Sequence, residues 1–450
     1  MYRKMYRFIP LLMLLVAGCG GSGSSTDDTD AGDNNAAGPV VVTLPKVAQY
    51  PIVTEIQTLD LNGDALPDLL LARTGETPFY SGVYLQALVN DGERGFTDET
   101  DTYFSDIDHN GQWYEHLYLA DLDGDGQQDI IRHMDQLQGG GLPPLMCQAD
   151  GAFLASDDAT LVAAVSPLLP LDADLDGDTD LLARTDTNNT TEWLLYRNRL
   201  IEDGAMTFED LGVVSGGLAT AENLPTHIYS PAILDINGDD YPDVIYGGPR
   251  YVGDGFVDEQ TALVVLLNDG DNTFTESAAF VFSGAVPAYV HQREMVVADF
   301  NGDSAGDVVI TNHGYDQPPF PTERNALLLS DGAGGLDEQV GDATTFDYLG
   351  FMHSAAAGDI DGDGDADIVY NDMNGPDITP GKELRILQND GTAIFTNINF
   401  TLPAALQQGT WISTLLVDLD NDGFPELVLG GGDSGNDSIV IWNDGNGSYE

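Results

Sequence analysis

The residues of this chain best placed to do chemistry are oxygen ligands that recur at one spacing. Positions one, three, five and nine of a nonapeptide hold Asp60, Asn62, Asp64 and Asp68, and again Asp121, Asp123, Asp125 and Asp129. The series continues with Asp235, Asn237, Asp239 and Asp243, then Asp299, Asn301, Asp303 and Asp307. Asp359, Asp361, Asp363 and Asp367 follow, and Asp418, Asp420, Asp422 and Glu426 come last. A further copy, Asp172, Asp174, Asp176 and Asp180, keeps four acids but has Leu175 at position four, where the others have Gly or Asn. A register starting at Asp174 is the alternative there; it would put Leu182 at position nine.

Oxygens at one, three and five converge only if the chain turns tightly, which Gly at position four or six permits. The acid at nine closes the cage. So many hard oxygen ligands select calcium over zinc or copper, and seven structural calcium ions are expected. A closed oxygen cage leaves little room for substrate, which favours a structural role over a catalytic one. An EF-hand would need a bidentate Glu at position twelve, but the residues there include Leu71, Arg132 and Tyr246.

Each loop is followed by a strand-like run such as DLLLA or DVVIT. Four segments, LVNDGERGF, LLNDGDNTF, LQNDGTAIF and IWNDGNGSY, place Asn-Asp-Gly between an apolar run and an aromatic, which signals a hairpin. Each unit therefore reads as four antiparallel strands with the acidic loop between the first two, a propeller blade. Dividing residues 39–450 among seven units gives about 59 residues each, close to most of the spacings. The expected fold is all-β, a seven-bladed propeller. Val40 to Leu44, VVVTL, precedes the first unit and is expected to complete the last blade, whose own fourth strand runs out of chain.

The first residues read as an address. Arg3, Lys4 and Arg7 precede an apolar run from Phe8 to Ala17, too short to span a bilayer and consistent with a secretory signal over 1–18. Val16-Ala17-Gly18-Cys19 resembles the lipobox of bacterial lipoproteins, which implies lipidation of Cys19 and a lipid anchor in the cell envelope; Gly20 resembles the pattern for outer-membrane sorting. Residues 19–38 would then be the lipidated Cys and a Gly/Ser/Asp tether, reaching roughly 20–25 Å. Cys147 remains alone, without a disulfide partner, in the apolar stretch LPPLMCQ.

Composition agrees with an exported, folded, acidic protein. Asp and Glu number 75 against 15 Lys and Arg, a formal charge of −60, yet 42% of residues are hydrophobic, enough to build a core. Such a surface repels phosphate and excludes nucleic acid as a partner. Seven divalent ions would neutralise only a small part of the charge. Adaptation to a saline habitat accounts for the remainder more readily than attraction of a basic partner does.

The loops and aromatic hairpins together resemble FG-GAP or VCBS repeats, the units of the integrin α-subunit propeller and of many bacterial surface proteins. The resemblance covers nearly all of residues 46–450 and implies calcium at each nonapeptide on the lower face, with partners met on the upper face. Leu175, Asn62, Asn237, Asn301 and Glu426 depart from the pattern and imply unequal affinities, above all at the third loop.

Histidines supply the remaining signal. His116, His227, His291 and His353 precede acidic loops, and His133 and His313 follow second strands, so all six are expected at the upper end. Trp113, Tyr114, Tyr229, Tyr315, Arg250 and Arg293 are their expected neighbours, and the insertion Asn312 to Pro321, NHGYDQPPFP, suits recognition. Such a face could hold a transition metal, a carbohydrate or an acid/base pair, or simply separate hydrogen-bonded loop residues. No nucleophile elbow, metalloprotease helix or phosphate loop is present. The expectation is a binding or adhesion module for a protein or polysaccharide. The alternative is an extracellular polysaccharide lyase or hydrolase that uses the His/Tyr cluster.

Overall fold

The computed structural model describes residues 39–75, 81–105, 107, 114–134, 142–163, 168–187, 190–215, 218–219, 224–252, 255–317, 320–339, 341, 345–346, 348–372, 384–398, 410–432, 436–445 and 448–449. The signal, Cys19, the tether, Trp113 and part of the 312–321 insertion lie outside them.

The chain is all-β: among the described residues six antiparallel sheets carry four strands in the order of a blade, and the sheet of blade three carries those four plus Leu218–Ala219. Blade one runs Ile52–Leu59, Asp68–Gly75, Ser81–Asn90 and Phe96–Asp98 from the inside out. Blades two to six start on Tyr114–Ala120, Leu168–Leu171, Ala232–Leu234, Gln292–Ala298 and Met352–Gly358. Blade seven supplies Trp411–Val417, Glu426–Gly431 and Ile439–Trp442, and its outer strand is Val40–Thr43, paired antiparallel to Ile439–Trp442 with Val40 opposite Trp442. The expected closure therefore occurs, and the N-terminal strand covers an edge that would otherwise be open.

Seven apolar clusters hold the ring, and each joins two successive blades. The seam between last and first packs Val417, Leu419, Val428 and Val440 against Val53, Ile56, Leu69 and Leu71. Position two of the acidic loops plugs into these seams: Leu122, Ala173, Ile236, Phe300 and Leu419 are fully buried. This explains the apolar residue after each leading Asp, since it is core and the acid beside it is surface. One-turn helices at Thr100–Tyr103, Ala159–Ala163, Leu200–Asp203 and Ala278–Val281 lie in the connections.

Five inner strands carry a bulge or irregularity, at Val53/Glu55, Tyr114/His116, Gln292/Glu294, Met352/Ala355 and Trp411/Ser413. Bulges re-aim the side chains beside them. Here they bring Glu55, His116 and Glu294 to a cavity on the upper side, opposite the acidic loops.

Candidate functional site: acidic turns below, an aromatic cleft above

The seven acidic turns share one backbone trace. Positions four and six are left-handed in every copy, from Gly63 (φ 76°) and Ala65 (φ 70°) to Asn421 (φ 58°) and Gly423 (φ 96°). Leu175 adopts φ 58° and Gly177 φ 100°, so the third turn has the same trace, without a glycine at position four. Its register begins at Asp172: Ala173 N–H donates to Asp180 Oδ2 at 2.9 Å, as Leu122 N–H does to Asp129 in blade two.

Each position has a distinct task. The leading Asp accepts main-chain N–H groups from within the turn; Asp60 takes those of Gly63, Asp64 and Ala65. The acid at position five caps position seven, as when Leu66 N–H donates to Asp64. The acid at nine is buried and bridges loop to third strand. Asp68 takes Leu61 N–H on one oxygen and Asn90 N–H on the other; Asp129, Asp180, Asp243, Asp307 and Asp367 repeat this, and Glu426 accepts Leu419 N–H on Oε2.

Metal fit follows from the donor set. Carboxylate oxygens of positions one, three and nine lie within 4.8 Å of one another in Asp121/Asp123/Asp129, Asp172/Asp174/Asp180, Asp359/Asp361/Asp367 and Asp418/Asp420/Glu426. In the other three turns Asn62, Asn237 and Asn301 stand at position three and donate to the position-five carboxylate. Asp174 Oδ1, Asp420 Oδ1 and Glu426 Oε1 are buried acceptors with no hydrogen-bond donor, which a hard cation would satisfy. Burial, reinforced by neighbouring carboxylates against main-chain donors, pushes Asp129, Asp180, Asp243 and Asp367 up to about 7 and Glu426 to about 8; Asp68 and Asp307 rise to about 6. These residues fit a divalent cation at the lower face.

The asparagines of the Asn-Asp-Gly hairpins do more than turn the chain. Asn90, Asn268, Asn389 and Asn443, with Asn198, donate their side-chain amides to the position-two carbonyls of the preceding blade: Leu419, Ala173, Phe300, Ile360 and Leu122. In blades two and five Cys147 and Ser330 take that place. Burial pushes the Cys147 thiol up to about 11, so it is a poor nucleophile.

At the upper end the histidines come together, but below the surface. Ring contacts run from His227 to Tyr229, from Tyr229 to His291, and on to His313 and His353, at centroid separations between 4.7 and 5.2 Å. His133, His227, His291 and His313 are buried, and burial holds His133, His291, His313 and His353 well below the usual imidazole range. Burial alone would also lower His116, but the Glu55 carboxylate, 3.4 Å away, raises it instead. Among the described residues, the clusters with three convergent metal-ligating atoms contain no histidine.

His116 and His353 line a cavity with Glu55, Glu294, Tyr229 and Arg293, whose guanidinium lies 3.9 Å from the Tyr229 ring centre. Burial and the Glu55 charge push Glu294 up to about 8. The space is about 30 Å³, room for a water or two and not for a sugar ring. Tyr114, expected on the face, is fully buried core, where its hydroxyl meets Arg132. Arg250 pairs with Glu259 at 2.8 Å.

A larger cleft, about 380 Å³, opens over blades four and five. Tyr315 lines it with Asp258, Gln260, Tyr289, Glu323 and Arg324. Two short ladders, Thr261–Ala262 with Ala288–Tyr289 and Glu323–Arg324 with Leu349–Gly350, stiffen its walls. Glu323 accepts the N–H of Val290 through both oxygens at 2.9 Å, and Tyr289 and Arg324 converge on Glu338 Oε1 at 2.6 Å. Beside the cleft, Tyr315 packs on Phe256 at 5.0 Å and Phe256 on Tyr251 at 5.5 Å. Sequence reasoning missed Tyr251 and Phe256, although YVGDGF carries a Gly-Asp-Gly turn between aromatics. It also missed Glu55 and Glu294, which only the bulges bring to the cavity.

Fold and turns together define a closed β-propeller whose every blade carries an acidic turn between its first two strands. Within it, residues 60–131 match the model of the FG-GAP-like repeat. Integrin alpha-V of Gallus gallus is 25% identical over 232 residues, 48% of this chain, which spans 20% of that relative's length. The crystal structure of exotype rhamnogalacturonan lyase YesX superposes with a TM-score of 0.45 at 16% identity, covering 89% of this chain and 75% of that one. Among the described residues no helix is long and apolar enough to cross a membrane.

Proposed function

We propose that this chain is an exported, calcium-pinned propeller, tethered to the cell envelope through lipidated Cys19, that binds a protein or polysaccharide on its upper face. The cleft at Tyr315 carries this reading. Its volume lies within the range of small-ligand sites, it has half-buried aromatic rings beside fixed polar groups, and it stands on the face away from the acidic turns. Calcium is the ion in the turns because the donors are carboxylate, amide and main-chain oxygens. Similarity to an integrin alpha chain supports an extracellular setting.

A cleaving enzyme is the second reading, and Glu55, His116 and Glu294 at the axial cavity favour it, because a carboxyl pushed up by burial beside a second carboxylate and a histidine suits acid/base chemistry. The size of that cavity weighs against it. Glycan arrays and pull-downs from envelope extract, run with calcium, test the choice. Retention that Tyr315→Ala abolishes, without product formation, supports binding at the cleft. Turnover lost in Glu294→Gln supports the enzyme, and retention unchanged by Tyr315→Ala removes the cleft from the account.

A further inference from the structure

Blade three differs from the other six in what faces its acidic turn. Arg197, second to last in the third strand Thr190–Asn198, places Nε 2.9 Å from Asp174 Oδ2 and Nη2 3.6 Å from Asp176 Oδ2. The same Nη2 pairs with Glu202, from the one-turn helix that follows. The matching strand position, just before the residue whose N–H meets the position-nine acid, holds Val89, Met146, Leu267, Leu329, Gln388 and Trp442 elsewhere. None of these is charged.

Gln388 shows that this strand position reaches the turn, because its amide bonds the position-three carboxylate Asp361. Arg94 approaches Asp420 from the blade-one hairpin, but at 3.7 Å and with 41% of its side chain exposed. Arg197 is held more closely, with 23% exposed and three carboxylates around it.

We infer that Arg197 is a built-in counter-ion for the turn Asp172–Asp180, taking over part of a divalent ion's role and making this the weakest calcium site of the seven. A guanidinium ion-paired with Asp174 draws charge from a ligand oxygen and repels an entering cation at close range. It also offsets the repulsion among the crowded carboxylates when no ion is bound, so the turn stays formed. The inference rests on the calcium reading of the turns.

Calcium titration of the full chain by calorimetry, comparing wild type with Arg197→Gln, tests it. The expected result is six tight sites and one about tenfold or more weaker, which tightens by about tenfold in the variant. Calcium uptake whose weakest site is unmoved or weakened by Arg197→Gln overturns this inference alone and makes Arg197 a group that orients ligands. No uptake by either protein overturns the calcium reading and this inference together. Hydrogen exchange of the wild type in chelator gives a readout independent of the variant. The main-chain amides of Asp176 and Gly177 should stay protected while those of Asp125 and Gly126 in blade two exchange; equal exchange at both turns overturns the inference.

Discussion

The side-chain amide of Asn198 donates to the main-chain carbonyl of Leu122 at 2.8 Å, across 76 positions and from one blade to the one before. The oxygen it serves lies in an acidic turn and is buried. Blade-to-blade cohesion therefore has a polar part that is coupled to the turn, in addition to the apolar seams. Asn198→Ala should cost about 1–3 kcal/mol, because a buried carbonyl loses its donor. Denaturant unfolding measures this.

Removing Val40 to Leu44 should destabilise the whole ring and promote association. Buried Leu44 leaves the seam between blades seven and one, and the main-chain groups of Ile439 to Trp442 become an open edge. Thermal unfolding and light scattering on the truncated chain check this, and unchanged stability would contradict strand closure.

Leu175→Gly should stabilise by about 0.5–1 kcal/mol. A left-handed leucine costs about 1–2 kcal/mol, and glycine returns part of that gain as entropy of the unfolded chain. Its side chain is 45% exposed, so little packing is lost. Chemical denaturation in calcium measures the difference.

Stabilisation by calcium should grow from acid to alkaline pH. Without the ion, burial raises Asp129 from 3.8 to about 7 and Glu426 from 4.5 to about 8, so the folded state holds these protons more tightly than the unfolded one. That contribution is complete below the unfolded values and disappears as pH rises through about 7 to 8. A bound cation replaces the protons and removes the loss. The gap in melting temperature between calcium and chelator should therefore be larger at pH 8 than at pH 5. A gap that narrows would reverse the sign argued here.

The ring was legible in the sequence because its signals repeat. Seven acidic nonapeptides, an apolar run after each and Asn-Asp-Gly hairpins fix strand order and blade number, and VVVTL at the start supplies the missing edge. Leu175 looked like a lapse, but a left-handed backbone can be imposed on leucine by the hydrogen bonds around Asp172 and Asp180. The asparagine of Asn-Asp-Gly was read as a turn signal; its bond to the neighbouring blade has a partner too distant in sequence to suggest itself. The upper face was less legible. Spacing placed the six histidines at one end, but which side chains are buried depends on the bulges and the short ladders that roof the blades, and neither leaves a periodic trace.

Thermal unfolding of the chain in calcium and in excess chelator, at constant ionic strength and pH 8, tests most directly whether cations in the turns hold the ring. At a hundredfold excess over its dissociation constant each ion contributes about 2.7 kcal/mol, and net stabilities are typically about 5–15 kcal/mol. Chelation should therefore lower the midpoint by roughly 10 °C or more, or abolish the cooperative transition. An identical, cooperative transition in both conditions would contradict the account.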